Sequence, residues 1–271
     1  MSLVKETPEV RSWIYDTLEE SRLRLPRLEG FSVREKRVTA LFERLKSSID
    51  VENWSEEDIG DWLNNKDVED SIDRLILAAN LGVPLYIVLW CDEVQKFRVL
   101  SVRIVKGEGK VFTKDEKLFK SLDEFAQWLA TLKGMQVSKK YREKERLSAV
   151  DNWLRKKKIP WPGNLDGFLV NRKKEKVLAL FEVRRTRVKS VRKHELNDFF
   201  YDDMQGWVAL DILRKQLDVP LYIITWSSDE TLLKIQKLLR VTNTGLDRGE
   251  EVFIDEGKVV RWFLQSIWKE Q

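Results

Sequence analysis

Histidine and cysteine are almost missing from this 271-residue chain, which has one of each, His194 and Cys91. A single cysteine cannot close an internal disulfide, and one cysteine with one histidine cannot assemble a zinc cluster. Multi-histidine metal sites are excluded, and imidazole acid–base catalysis has one candidate. A metal, if bound, must be held mainly by carboxylates. No run of about 18 apolar residues occurs, which excludes an ordinary membrane-spanning helix. The opening residues MSLVKETPEVRSW carry no apolar stretch behind a basic start, so no secretory signal is read there. A glycine-rich phosphate loop is also missing, which disfavours an ATP-driven motor. These absences lead us to expect a cytoplasmic globular protein with no membrane partner.

Charge is abundant. Charged residues make up 35% of the chain and apolar residues 42%, enough for a packed core. The net charge of +4 conceals an asymmetry: residues 1–136 hold 21 Lys/Arg against 25 Asp/Glu, and residues 137–271 hold 28 against 20. The excess lies in 139–193, with 19 basic and 6 acidic side chains, whereas 50–73 is acidic. A field of that sign favours a polyanion, nucleic acid above all, in a salt-dependent way. A solubilising surface on a highly charged protein is the plainer alternative.

The two halves are copies of one another. LEGF at 28–31 matches LDGF at 165–168, VTALFE at 38–43 matches VLALFE at 177–182, and VPLYIVLW at 83–90 matches VPLYIITW at 219–226. With a fourth pair around Trp128 and Trp262, the offsets are 137, 139, 136 and 134. Chance matches would not stay collinear over four blocks. The expected organisation is a first domain over 1–136 and a second over 137–271. Two such long copies do not make a solenoid.

Each copy reads as mixed α/β. In the second, Leu147, Val150, Trp153 and Leu154 recur at helical spacing between Tyr141 and Lys157, and Pro160 and Pro162 then stop the helix. Strands are predicted over 166–171, 177–184 and 220–226, with a weaker one near 238–241. Helices are predicted over 204–217 and about 258–268. The first copy repeats this order, with helices near 8–22, 67–81 and 121–132.

Asp166 opens one strand of the predicted hairpin, and Glu182 and Arg184 close the other. Residues two apart on a strand share a face, so Glu182 and Arg184 point the same way, and strand pairing can set Asp166 beside Glu182. Two carboxylates so placed suit Mg²⁺, a hard ion that keeps several waters. A cation beside them can stabilise charge developing on a phosphate. Spacing alone leaves another arrangement open, in which Asp166 caps a turn and Glu182 pairs with Arg184 on an exposed strand end.

The succession of a helix, Leu-Asp-Gly-Phe, a strand ending Phe-Glu-Val-Arg, a second helix and Val-Pro-Leu-Tyr-Ile resembles the PD-(D/E)XK nuclease superfamily. The nearest likeness is to its archaeal Holliday-junction-resolvase-like and restriction-endonuclease-like members, and it covers most of both halves. The resemblance implies two tandem restriction-endonuclease-like αβββαβ domains, each with a central mixed sheet flanked by helices. It implies that Asp166 and Glu182 bind Mg²⁺ or Mn²⁺ for phosphodiester hydrolysis, with Arg184 standing where the family has lysine. An arginine stabilises charge but is never neutral at working pH and cannot serve as a base. The family's additional helix acid would be Glu143 or Glu145, and Gln205 on the following helix could reach a phosphate or water. In the first copy Glu29 replaces the strand-opening Asp, Glu43 aligns with Glu182, and Leu45 takes the place of Arg184. That copy is read as a degenerate site serving as a scaffold or a surface for a protein partner or a second subunit.

The expected ligand is DNA, including branched DNA, ahead of RNA. Arg185, Arg187, Lys189, Arg192 and Lys193 leave the candidate strand as a basic run suited to phosphates. Trp161, in a Pro-Trp-Pro turn, is the candidate for stacking on a base, and most other tryptophans fall at core spacing. His194 is read as a surface residue. The leading expectation is therefore a metal-dependent endonuclease. A non-catalytic nucleic-acid-binding or structural protein built on decayed nuclease domains is the alternative.

Overall fold

A computed structural model describes residues 2–5, 24–91, 93–104, 109–133, 149–159, 161–186, 190–201, 203–227 and 230–268. The chain forms two compact units of mixed α/β structure, each built on one mixed sheet flanked by helices. No helix among the described residues is long and apolar enough to cross a membrane.

Unit 1 holds strands β1 (Leu3–Lys5), β2 (Leu28–Arg34), β3 (Arg37–Ser47), β4 (Leu85–Trp90), β5 (Phe97–Ile104) and β6 (Val111–Phe119). Its helices are α1 (Glu56–Lys66), α2 (Val68–Leu81), α3 (Leu122–Lys133) and α4 (Ala149–Lys156). The sheet runs β6-β5-β4-β3-β2 and continues into β7 (Gly163–Leu165), with β1 added to β3. Strands β3 and β4 pair in parallel, and the hairpin β2–β3 and the ladders β4–β5 and β5–β6 are antiparallel.

Unit 2 repeats the centre of this plan with β8 (Gly167–Asn171), β9 (Lys176–Arg185), β10 (Leu221–Ser227), β11 (Glu230–Val241), β12 (Leu246–Arg248) and β13 (Val252–Asp255). Helix α5 (Met204–Leu217) links the parallel strands β9 and β10, and α6 (Val259–Phe263) continues into a wider turn over Leu264–Trp268. The sheet order is β12-β11-β10-β9-β8, with β13 against β11.

The changing offset of the repeat has a local cause. Hairpin β2–β3 turns through two residues, Glu35 and Lys36, both with positive φ, as tight hairpin turns of matching twist require. Hairpin β8–β9 turns through residues 172–175, two more, and the offset grows from 137 to 139. Between β9 and α5 the second copy then loses three residues relative to the first. Helix α1 stands at that place in unit 1, whereas unit 2 has two short 3-10 turns, Val191–Lys193 and Leu196–Phe199.

The compact units do not follow a plain cut at 136/137. Unit 1 extends through residue 164, and residues 24–27 belong to unit 2. Helix α4, which is second-copy sequence, inserts Val150 and Leu154 into the unit 1 core with Phe42, Phe97, Phe125 and Leu129. Reciprocally, Leu25 packs into the unit 2 core with Leu178, Phe181 and Phe263, and the Pro26 carbonyl accepts the Phe168 amide at 3.2 Å. Each strand-opening acid is thus approached by chain from the other copy.

Two sequence expectations change, and one helix appears that the sequence reading did not include. The weak strand near 238–241 is the end of β11, which is 12 residues long. The acidic segment 50–73 contains α1, which opens on a Ser55–Asp58 capping box that the apolar spacing does not signal. His194 is buried rather than on the surface, and its carbonyl accepts a 2.6 Å hydrogen bond from the buried Lys234 ammonium. The helix expected near 8–22 and residues 141–148 of the next lie outside the described residues.

Candidate active site

Strand pairing brings the two acids of unit 2 together. Gly167 sits opposite Phe181, so Asp166, just before β8, meets the chain just beyond Glu182. Its Oδ2 accepts the Val183 amide at 2.9 Å. The Arg184 guanidinium reaches back along β9, forms an ion pair with Glu182 Oε1 at 2.8 Å and donates to Asp203 Oδ2 at 2.8 Å. It also lies over the Trp207 ring, 4.8 Å from the centroid. Asp203 and Trp207 are at the start of α5, so one cation ties strand end to helix start.

Burial dominates the electrostatics. Glu182 is held well above the ordinary carboxyl range, first by loss of water and then by the charges of Asp166 and Asp203, with Arg184 opposing. Asp166 is raised as well, again first by burial, although the Val183 amide, Arg184 and Arg27 favour its charged form. For Arg184, burial works against the cation, but Glu182, Asp203 and Asp166 outweigh it and the pKa rises. The Arg184 Nε–H is buried with no acceptor among the described residues.

Unit 1 uses the same backbone device with its acids fully internalised. Glu29 Oε2 accepts the Arg44 amide at 3.0 Å, just as Asp166 accepts that of Val183, and Arg44 Nε donates to the same oxygen at 3.2 Å. Arg44 also reaches Asp151 of α4 at 3.0 Å. Glu43 Oε1 lies 2.9 Å from Nε of Arg74, a buried α2 residue that also holds Asp67 at 2.6 Å. Burial opposes the Arg74 charge, but Glu43, Asp67 and Asp70 outweigh it and push its pKa up. Asp67 precedes α2 as Asp203 precedes α5. The two copies thus bridge equivalent acids with guanidinium groups rooted on different elements.

No protein-family model matches the chain, and no curated protein matches it at a significant level. Among solved structures it is similar to a sex pheromone staph-cAM373 precursor, at 12% identity over 94% of this chain and 84% of that one. The TM-score of 0.18 is too low to carry an argument. The site must therefore be argued from its own geometry.

The other sequence candidates are placed as follows. Arg185 is exposed and lies over the Trp226 ring, and Arg192 and Lys193 are exposed on the turn 191–193. Arg187, Lys189, Glu143 and Glu145 lie outside the described residues. Trp161 is half-buried in unit 1: its indole N–H donates to the Glu29 carbonyl at 3.0 Å, and Arg44 and Phe42 pack on its ring. It belongs to that core rather than to an open stacking platform. Sequence reasoning missed Arg27, Asp203 and Trp207. Asp203 was within reach of it, because the offset of 136 aligns it with Asp67.

Two carboxylates on adjoining chain segments supply the hard oxygen donors that a divalent ion takes, and burial raises the pKa of both. Against this, no group of three or more His, Cys, Asp or Glu among the described residues is arranged to hold a metal. An ion held by these two acids would have to keep most of its waters and share Glu182 with Arg184.

Proposed function

We propose that unit 2 is a metal-dependent phosphodiesterase of the PD-(D/E)XK type, acting on DNA, and that unit 1 is its degenerate copy. Both units would then carry the restriction-endonuclease-like fold that the repeated motif suggests. The observation that carries this reading is the convergence of Asp166 and Glu182, both buried, beside a guanidinium with an uncommitted buried N–H. Asp166 and Glu182 would hold Mg²⁺ or Mn²⁺, which supplies an acidified water and a polarised phosphate when bound. Arg184 would turn its Nε–H to a non-bridging phosphate oxygen, a stronger bond than one between neutral partners. Because Arg184 cannot accept a proton, the proton of the attacking water leaves to solvent or to a substrate phosphate. Arg185, Arg192 and Lys193, with Arg187 and Lys189 in the same run, would track the backbone on either side.

A second reading is favoured by one feature. Arg184 already neutralises Glu182 and Asp203, so the cluster is stable as a purely structural ion network. On that reading the protein binds nucleic acid without cutting it. Cleavage of linear, single-stranded and branched DNA by wild type, Asp166→Ala and Glu182→Ala, with Mg²⁺ and with Mn²⁺, separates the two. Cleavage abolished by both substitutions with binding retained supports the enzyme. Tight, salt-sensitive binding with no cleavage under either metal rejects it.

A further inference from the structure

Beside the acids, unit 2 leaves three large apolar side chains in solvent: Tyr201 at 65% exposure, Val208 at 42% and Met204 at 39%. Single exposed apolar residues are ordinary, but three together next to an ionic cluster are not. Asp203, the neighbour of Met204, holds Arg184, and Trp207, the neighbour of Val208, lies under its guanidinium. Tyr201 itself is braced edge-on by buried Phe200, ring centroids 5.3 Å apart. Gln205, also exposed, adds an amide with donors and an acceptor.

The first copy does not display this face. Its equivalents at the offset of 136 are Asn65, which is polar, and Val68 and Ile72, which are half-buried. The apolar face is open in the copy that keeps Asp166, Glu182 and Arg184.

We propose that Tyr201, with Met204 and Val208, forms a platform on which an unpaired base of the bound strand stacks while Arg184 engages a phosphate of that strand. This rests on the phosphodiesterase reading and narrows its substrate to DNA with a single-stranded end, flap or branch. The occupant follows from the surroundings. An aromatic surface beside Arg184, whose buried Nε–H has no acceptor among the described residues, offers a π-face for a base and a cation for its backbone, the combination that binds single strands without reading sequence. A second copy of this chain would bring its own Arg184 against this one. In a duplex the bases stack on each other and cannot reach Tyr201.

The test is equilibrium binding in EDTA, so that cleavage plays no part, using a duplex with a single-stranded flap carrying 2-aminopurine and a blunt duplex of the same paired sequence. Tyr201→Ala is expected to weaken flap binding about tenfold and to restore 2-aminopurine fluorescence, leaving the blunt duplex unchanged. Tyr201→Phe, which keeps the stacking surface, is expected to stay within about twofold of wild type on both. Equal losses on the two DNAs, or none on either, overturn the platform. So does a shift from dimer to monomer on Met204→Glu in sedimentation, which would assign the face to a second copy. If flap selectivity depends on Tyr201 but no metal supports cleavage, the platform stands and the hydrolytic reading fails. Cleavage dependent on Asp166 and Glu182, without that selectivity, removes the platform and leaves the hydrolytic reading standing.

Discussion

Leu154→Ala tests the assignment of α4 to unit 1. Leu154 is fully buried among Phe42, Phe97, Phe125 and Leu129, so the substitution removes buried carbons and leaves a cavity. Such changes cost about 2–5 kcal/mol in well-packed cores. A central value of about 3 kcal/mol corresponds to roughly a hundredfold rise in exchange for amides that open with the unit. Hydrogen exchange read by mass spectrometry in the intact protein localises the loss. Peptides from β3, β4 and β5 should lose protection, while those from β9 and β10 should keep theirs. Loss confined to β9 and β10 would place α4 in the core of its own sequence copy and refute the exchange of segments.

Other outcomes follow from single features. A carboxyl whose folded pKa is raised favours the native state below its ordinary value, 4.5 for Glu182, and that advantage is lost as pH rises through the folded value. Glu182→Gln should therefore gain stability over wild type from about pH 4.5 towards neutrality in metal-free urea titrations, and a pH-independent difference would contradict the burial argument. Asp218 ends α5 with φ of 54°, where Gly82 ends α2 with φ of 68°, so Asp218→Gly should stabilise unit 2 by about 0.5–1 kcal/mol in thermal unfolding. Replacing Arg185, Arg187, Lys189 and Arg192 together by alanine should flatten the slope of log affinity against log salt by about 3 to 4. An unchanged slope would remove the proposed nucleic-acid face from this segment.

The parts legible in the sequence are those where one local rule decides. Helix α5 over 204–217 is readable because its apolar spacing and the Val-Pro behind it agree, and the Asp166–Glu182 approach follows from a hairpin with opposed strand ends. Where a polar side chain has its partner far away in sequence, the pattern fails. Lys234 interrupts the apolar alternation of β11, yet it is fully buried because the His194 carbonyl and Glu251 receive its ammonium. Helix α1 carries few apolar residues and is held partly through Asn64, which bonds the Val111 backbone both as donor and as acceptor. The exchange of segments is illegible for another reason. The apolar stripe of α4 shows that it needs a core, but two copies of one domain offer two similar cores.

The relocated guanidinium explains how one site could close while the other stayed open. Glu43 with Asp67, and Glu182 with Asp203, are equivalent pairs, and each burial requires a cation. In unit 1 that cation is Arg74, rooted on α2, 4% exposed and enclosed by a third acid, Asp70. In unit 2 it is Arg184, rooted on the strand end and 32% exposed, while the α5 position equivalent to Arg74 is Leu210. A cation on the helix satisfies the acids from inside; one on the strand satisfies them from the side that faces solvent, where a phosphate could compete for it. Arg184→Leu should destabilise unit 2 by about 1–3 kcal/mol, less than a fully buried pair would because Arg184 is partly solvated. Adding Leu210→Arg should recover most of that stability by rebuilding the unit 1 arrangement. DNA affinity measured without metal should fall in the single variant and stay low in the double. A double variant no more stable than Arg184→Leu alone would show that the two guanidinium groups do not occupy equivalent places, and the account of unit 1 as a closed version of the same site would fail.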